Sequence, residues 1–379
     1  MKIEIPFTSP TIVETEIENV KKLIALKKMS GDGYFSNLCK DEVKRFINKK
    51  DNEVFFTTSC TSALEASSII LELCPGDEVI MPSFTFVTTA SSFANRGIKI
   101  KFVDIDKKTL NIDPKRIEEA ITERTKAIVC VHYAGVSCDM DEISKIAKKH
   151  NLFVIEDAAQ CIFSFYKDKH LGTIGDISTF SFHETKNIQC GEGGALFVNN
   201  KSLSDRSHVV YNKGTNRRKF IDGKVQKYSW VDLGASYTMS DLNAAFLLDQ
   251  LKLVEKITEK RLSYWNRYYN NLTNNNDYFS LPFIPEYCKH NGHIFRISLK
   301  EPKKRDKLIE FLRKKGVQAT FHFLPLHSSQ AGKKFGTFVG EDVNTTRESQ
   351  KILRLPIFNE MGFDKVDFVS ESILEFFNV

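Results

Sequence analysis

Over roughly the first two-thirds of the chain, short β-branched and apolar runs alternate with amphipathic stretches, and a chain so patterned folds around a largely parallel sheet covered by helices. Seven runs read as strands: Val54–Thr57, Glu78–Met81, Lys99–Val103, Ala127–Val131, Phe153–Ile155, Thr179–Phe182 and Gly194–Val198. Between them Ser62–Leu73, Pro114–Ile121 and Met140–Lys149 carry apolar residues at helical spacing. A longer helical pattern opens at Ser240, where Ser or Asp can cap it, and runs to about Leu272 through Leu242, Phe246, Leu248, Leu251 and Val254. The Asn-rich stretch Thr273–Asp277 buries little and turns easily, so composition puts a boundary there. Beyond it, His293–Leu299 and Gln318–Phe323 are strand-like, whereas Arg305–Lys315, Glu341–Leu353 and Lys365–Phe377 are helix-like. The expected fold class is α/β: residues 1–245 form a large domain around a mainly parallel seven-stranded sheet, and residues 246–379 form the connecting helix and a small α+β domain.

Charge and cysteine usage narrow the function. Lys and Arg number 54 against 48 Asp and Glu, and the resulting +6 is spread over mixed-sign faces such as Lys252–Arg261. That argues against nucleic acid and suits a small anionic substrate. The 8 cysteines form no C-x-x-C pair and no set of His at ligand spacing accompanies them, so neither a metal site nor a disulfide framework is expected. No apolar run approaches the roughly 20 residues of a membrane span, and no basic-then-apolar leader opens the sequence; a cytoplasmic chain with no membrane partner is the expectation.

Several motifs follow strand ends, where open α/β sheets bind ligands. Glu156-Asp157 closes the strand at Phe153; alone, it reads as a turn or a helix cap as readily as a site. Lys186 follows the strand ending in Phe182 and precedes the glycine-rich Cys190–Gly194. It is either a surface lysine or a desolvated amine, and desolvation lowers a lysine pKa into the range Schiff-base chemistry needs. Thr57–Ser62 is a hydroxyl-rich turn before a helix, hence an ordinary N-cap, an anion site, or both. Glu65, three residues after Ser62, fits a capping box. Phe86 is a core residue or a flat face for a heteroaromatic ring. His132-Tyr133-Ala134-Gly135 is a ligand wall or a packed turn.

In register from Ile5-Pro6-Phe7 to Leu355-Pro356, the chain resembles the DegT-type sugar aminotransferases, fold-type-I enzymes that depend on pyridoxal 5′-phosphate. The likeness is carried by Pro75–Phe86, Val131–Gly135, Glu156–Gln160, Phe180–Asn187, Lys213–Arg217 and Phe321–His327. It implies Lys186 as the lysine that carries the cofactor and shuttles the proton, Asp157 against the pyridinium nitrogen, Gln160 near the ring hydroxyl and Phe86 stacked on the ring. It implies Thr61, Ser62 and Ser181 around the phosphate. A polar residue from a neighbouring subunit, commonly Asn, also reaches that phosphate in the family; here its place is taken by Ser236, with Thr238 in the usual basic place.

For the substrate, the resemblance implies a nucleotide-linked sugar covered by Gly31-Asp32-Gly33-Tyr34 and by the segment of His322, with Lys213 and Arg217 meeting the diphosphate. The implied reaction moves the amino group of L-glutamate to C4 of TDP-4-keto-6-deoxy-D-glucose, giving TDP-4-amino-4,6-dideoxy-D-galactose for a surface glycan. Partners are the nucleotide sugar, glutamate and a second copy in a homodimer with shared active sites. The gluco epimer (TDP-viosamine) and a 3-amino product are close alternatives. A sugar dehydratase of the sister group carries histidine in place of the lysine, so Lys186 argues against it. A non-catalytic cofactor-binding regulator is the remaining rival.

Overall fold

The computed structural model describes residues 3–49 and 52–378. Its main sheet contains all seven expected strands, numbered here in chain order: β1 Glu53–Thr57, β2 Glu78–Pro82, β3 Lys99–Val103, β4 Thr125–Val131, β5 Phe153–Asp157, β6 Ile177–Ser181 and β7 Gly194–Val198. An eighth, β8 Gly336–Phe338, comes from far downstream and pairs in parallel with β3. The order across the sheet is β1-β7-β6-β5-β4-β2-β3-β8, and only β7 runs against its neighbours. Seven strands therefore point the same way, and their C-terminal ends share one edge. β4 and β5 are almost wholly buried because helices cover both faces, which explains their unbroken apolar runs.

Helices depart from expectation more than strands do. Pro114–Ile121 is two 3₁₀ turns, Pro114–Arg116 and Glu118–Ala120, with Asp113 capping the first. The helix expected at Ser62 starts instead at Cys60 and ends at Ile70. Ser240 caps Asp241–Lys252 by accepting from the Asn243 amide, and the long pattern breaks at Leu253 before a second helix, Val254–Leu272. Gln318–Phe323 holds no strand, only a single bridge between Thr320 and Arg354. Glu341–Leu353 is not one helix: Thr345–Ser349 is one short turn of helix, and Ile352–Leu355 is a strand.

Leu247, Leu248, Leu251, Val254 and Ile257 pack into the core beneath the main sheet, whereas Tyr264, Trp265, Tyr268 and Leu272 belong to a separate core. The second core lies on a three-stranded antiparallel sheet of Phe279–Ser280, Phe295–Leu299 and Ile352–Leu355. Helices Lys303–Lys314 and Phe363–Phe377 contribute Leu308, Leu312, Val366, Val369 and Ile373 to it. Ile5 joins this core through a parallel bridge to Val317. The N-terminus and the C-terminal third thus fold together, and β8 ties that third to the main sheet.

Candidate active site

Parallel strands gather the sequence motifs at one edge. β1 delivers Ser59–Ser62, β2 delivers Phe84 and Phe86, β4 delivers His132–Gly135, β5 delivers Asp157 and Gln160, and β6 delivers Ser181 and Lys186. Asp157 is 6% exposed. It accepts from Thr89 Oγ1 (2.8 Å) and the Ala159 amide (3.2 Å). Cys60 Sγ lies 4.0 Å from its Oδ1 and also reaches Thr179 Oγ1 at 3.4 Å. Burial raises the Asp157 pKa; Thr89, Ala159 and the Lys186 charge offset this only in part.

Lys186 is half-buried, and its Nζ has no hydrogen-bond or ion-pair partner among the described residues. Burial lowers its pKa against the opposing pull of Cys60 and Asp157. Lys186 and Asp157 are thus shifted in opposite directions, each mainly by burial.

The hydroxyl turn acts as a helix start, but its cap lies three residues before Ser62. Ser59 is the cap, and its Oγ accepts from the Ser62 amide at 3.1 Å. Ser62 therefore sits inside the first turn, its hydroxyl bonded to Thr58 (2.7 Å) and Ser59 (2.9 Å), and the Ser62–Glu65 capping box is not formed. The amides of Cys60 and Thr61 have no partner among the described residues and open toward the sheet edge, as an anion site requires. Gly194 makes the close approach possible: a Cβ there would stand 2.3 Å from the Ser59 carbonyl carbon.

On the opposite wall Phe84 is core, whereas Phe86 is 56% exposed, an unusual state for a phenylalanine at the mouth of a strand. Gln160 Oε1 accepts from the Ala134 amide (2.6 Å), which turns its NH₂ the other way. Gly135 has φ 79° and sits where a Cβ would meet Asn291 Oδ1 at 2.1 Å, so His132–Gly135 is a tightly built turn. Tyr133 Oη bonds His322 Nδ1 (2.9 Å), and burial together with the charges of Arg354 and Lys186 drives the His322 pKa down. His322 is buried against Tyr133 and Phe323.

Gly33 caps helix Tyr34–Ile47, and the Asp241 carboxylate takes the amides of Phe35 (3.0 Å) and Ser36 (2.8 Å). Tyr34 Oη accepts from Lys22 (2.8 Å), and Gly31 packs on Met239. Asp32, paired with Lys40, and Arg217 line a 430 Å³ cleft along the outer edge of β1. Lys213 is exposed; of the neighbouring cations, Arg218 is paired with Asp222 and Lys219 with Asp205. Ser236 is exposed on the loop before Ser240. Two residues beside Asp157 escaped the sequence reading, Thr89 and Cys60. Thr89 lies only three residues past Phe86 and Cys60 inside the hydroxyl turn, so both were within motifs already singled out.

These groups fit pyridoxal phosphate. An unpartnered amine, a buried carboxylate lacking a cation, two free helix amides and an exposed phenyl face are what an aldehyde, a pyridine nitrogen, a phosphate and an aromatic ring need. No helix among the described residues is long and apolar enough to cross a membrane. The sequence profile of the DegT/DnrJ/EryC1/StrS aminotransferase family matches residues 10–374. The chain is 33% identical over 377 residues to the spore coat polysaccharide biosynthesis protein SpsC of Bacillus subtilis, covering 97% of this chain and 96% of that one. It is 38% identical over 315 residues to the uncharacterized protein MJ1066 of Methanocaldococcus jannaschii, covering 81% of each. The aminotransferase TlmJ of Streptoalloteichus hindustanus superposes with a TM-score of 0.91 at 25% identity over 99% of both chains. The chain belongs to the DegT/DnrJ/EryC1/StrS family and is a pyridoxal-phosphate-dependent sugar aminotransferase.

Proposed function

We propose that this enzyme aminates C4 of TDP-4-keto-6-deoxy-D-glucose with L-glutamate as donor, releasing 2-oxoglutarate and TDP-4-amino-4,6-dideoxy-D-galactose for a surface glycan. The observation that carries the chemistry is Lys186 Nζ, unpartnered, lowered in pKa and facing Asp157. Bound pyridoxal phosphate supplies an electron sink for the carbanion at the carbon that gains or loses nitrogen. Lys186 holds the cofactor and, when released from it, moves the proton to or from that carbon. Asp157 keeps the ring nitrogen protonated, Gln160 donates to the ring hydroxyl and Phe86 covers one face. Thr61, Ser62 and Ser181 take the phosphate. Replacing Lys186 with Ala lowers turnover by about 10⁴-fold, the upper range of a positioned acid–base group.

The sugar reading is supported by the six motifs in register and by the polysaccharide pathway named for SpsC. A homodimer with shared sites is supported by exposed apolar side chains on the short helix Arg217–Ile221, Phe220 and Ile221, and on the loop between it and Ser236, Tyr228, Val231, Leu233 and Trp230, which is 78% exposed. In that dimer Ser236, Asp32, Lys213 and Arg217 serve the neighbouring site. The test is to incubate the enzyme with glutamate and the keto sugar and read the proton coupling at C4. A small H3–H4 coupling gives the galacto product; a large one gives the gluco epimer and overturns the stereochemical reading. A monomer on gel filtration at micromolar concentration overturns the shared sites.

A further inference from the structure

Lys186 lies in a segment, residues 182–193, that holds no helix or strand. Its amine must nevertheless meet one carbon, and a misplacement of about 1 Å costs about 100-fold in rate. The side chain next in sequence, Asn187, is the tether. It is buried, and its Nδ2 donates to the Asn291 carbonyl at 3.0 Å. A carbonyl oxygen only accepts, so this bond orients the amide and leaves Oδ1 to accept from His293 Nδ1 at 2.8 Å. Burial lowers the His293 pKa well below its ordinary value, so the neutral ring carries its single proton on Nδ1. Both partners of Asn187 thus come from residues 291–293, the segment that leads into strand Phe295–Leu299.

That segment is itself fixed. Asn291 Nδ2 donates to the carbonyls of Gln160 (2.9 Å) and Ile162 (2.8 Å), and its Oδ1 takes the His293 amide (3.1 Å). Arg261 Nη2 donates to the carbonyls of His293 (2.9 Å) and Ile357 (3.2 Å), and Trp265 Nε1 donates to that of Ile294 (3.1 Å). Arg261 and Trp265 stand on helix Val254–Leu272, which enters both cores. Burying these amides and the imidazole costs desolvation that apolar side chains avoid; once satisfied, they define a single position.

We propose that Asn187 and His293 are positioning residues that set the reach of the Lys186 amine toward the cofactor. This rests on the assignment of Lys186 to pyridoxal phosphate above and names what places it. β5 and β6 pair directly only as far as Asp157 and Thr179, short of both Gln160 and Lys186, so the sheet alone does not set the two loops against each other. Asn291 does, because its side chain holds the Gln160 carbonyl while its own carbonyl holds Asn187. With both ends of the Asn187 amide engaged, the backbone beside Lys186 can neither slide along the Gln160 segment nor turn away from it.

The test adds two probes to the full-length enzyme freed of cofactor. Pyridoxal phosphate brings an aldehyde that condenses with Nζ and releases water; pyridoxamine phosphate fills the same cavity with no aldehyde to join. Asn187→Leu and His293→Leu are each expected to slow the joining of saturating pyridoxal phosphate, followed by its visible absorbance, by about 10- to 100-fold, and to leave the pyridoxamine phosphate Kd within about threefold. His293→Asn, whose Nδ2 can stand where Nδ1 stood, is expected to keep the rate within about threefold of wild type. The double Leu variant is expected to be slower than either single one by no more than about threefold, because the two side chains act as a unit. Equal losses for both probes show a structural role only and overturn the proposal, as do wild-type rates in both Leu variants or a His293→Asn enzyme as slow as His293→Leu. If a Leu variant does not fold, Asn187→Ser, too short to reach both partners, takes its place under the same outcomes. Unchanged joining after Lys186→Ala fails earlier, and separately, on the assignment of Lys186 itself.

Discussion

Glu156 and Asp157 are neighbours at the end of β5, yet they leave the strand on opposite faces and reach opposite electrostatic states. Glu156 is fully buried and saturated: His132 Nε2 meets Oε2 at 3.0 Å, the Gly172 amide at 2.7 Å, and the amides of Ile174 and Gly175 meet Oε1 at 2.8 and 2.6 Å. Burial alone would raise its pKa, but these donors outweigh burial and the pKa falls. Asp157 is desolvated to a similar degree with fewer donors, and its pKa rises. The first carboxylate has all its partners within the fold. The second has fewer donors than its burial calls for, which leaves room for the protonated ring nitrogen of the proposed function. The difference separates a residue that holds the loop 172–175 to the sheet from one that waits for a ligand.

The largest test of this contrast is Glu156→Gln. The amide can accept at only one position and brings hydrogens where backbone N–H groups already point, so thermal or urea unfolding of the apoenzyme is expected to show a loss of about 3–5 kcal/mol, as when a buried charge network is broken. Asp157→Asn is expected to do the reverse. Apoenzyme stability at neutral pH should hold or rise, because a reluctant carboxylate is gone, while the dissociation constant for pyridoxal phosphate rises by about 100-fold. Equal destabilisation by both substitutions would erase the distinction.

Strand-level organisation was legible because the main-sheet strands are buried on both faces, and burial writes a local signal of contiguous Val, Ile, Phe and Cys. Lys186, Asp157 and Thr61 were legible for a related reason, since each follows such a strand directly. What was not legible depends on distant partners. β8 is Gly336-Thr-Phe338, three residues without pattern, made a strand by the free edge of β3. Ile352–Leu355 overlaps the stretch expected to be helical, but it pairs with Phe295–Leu299 in the second core. The helix cap was misplaced because hydroxyls at residues 57–59 and 61–62 offer several equivalent starts, and Gly194 approaching Ser59 selects one of them.

The carboxylates should also respond to pH with opposite sign. Glu156, with its pKa lowered from 4.5, stabilises the fold above that value and loses the contribution as pH falls through its folded pKa. Asp157, raised from 3.8, contributes below that value and loses it as pH rises through its folded pKa. Apoenzyme melting temperature against pH should therefore show a shallower acid-side decline in Glu156→Gln than in wild type. The gain of Asp157→Asn over wild type should instead grow with rising pH.

Thr89→Val sharpens the comparison with the smallest change. It removes the 2.8 Å donor to Oδ2 while nearly keeping the side chain's volume. Without that bond the Asp157 pKa moves further up, so the loss of stability starts at the same unfolded pKa but continues to higher pH, and the gap between Thr89→Val and Thr89→Val/Asp157→Asn grows wider than in the wild-type background. Cofactor affinity should weaken by about tenfold, the worth of one hydrogen bond to a charged group. A tenfold loss without the wider gap would mean that Thr89 shapes the cavity without acting on the charge of Asp157.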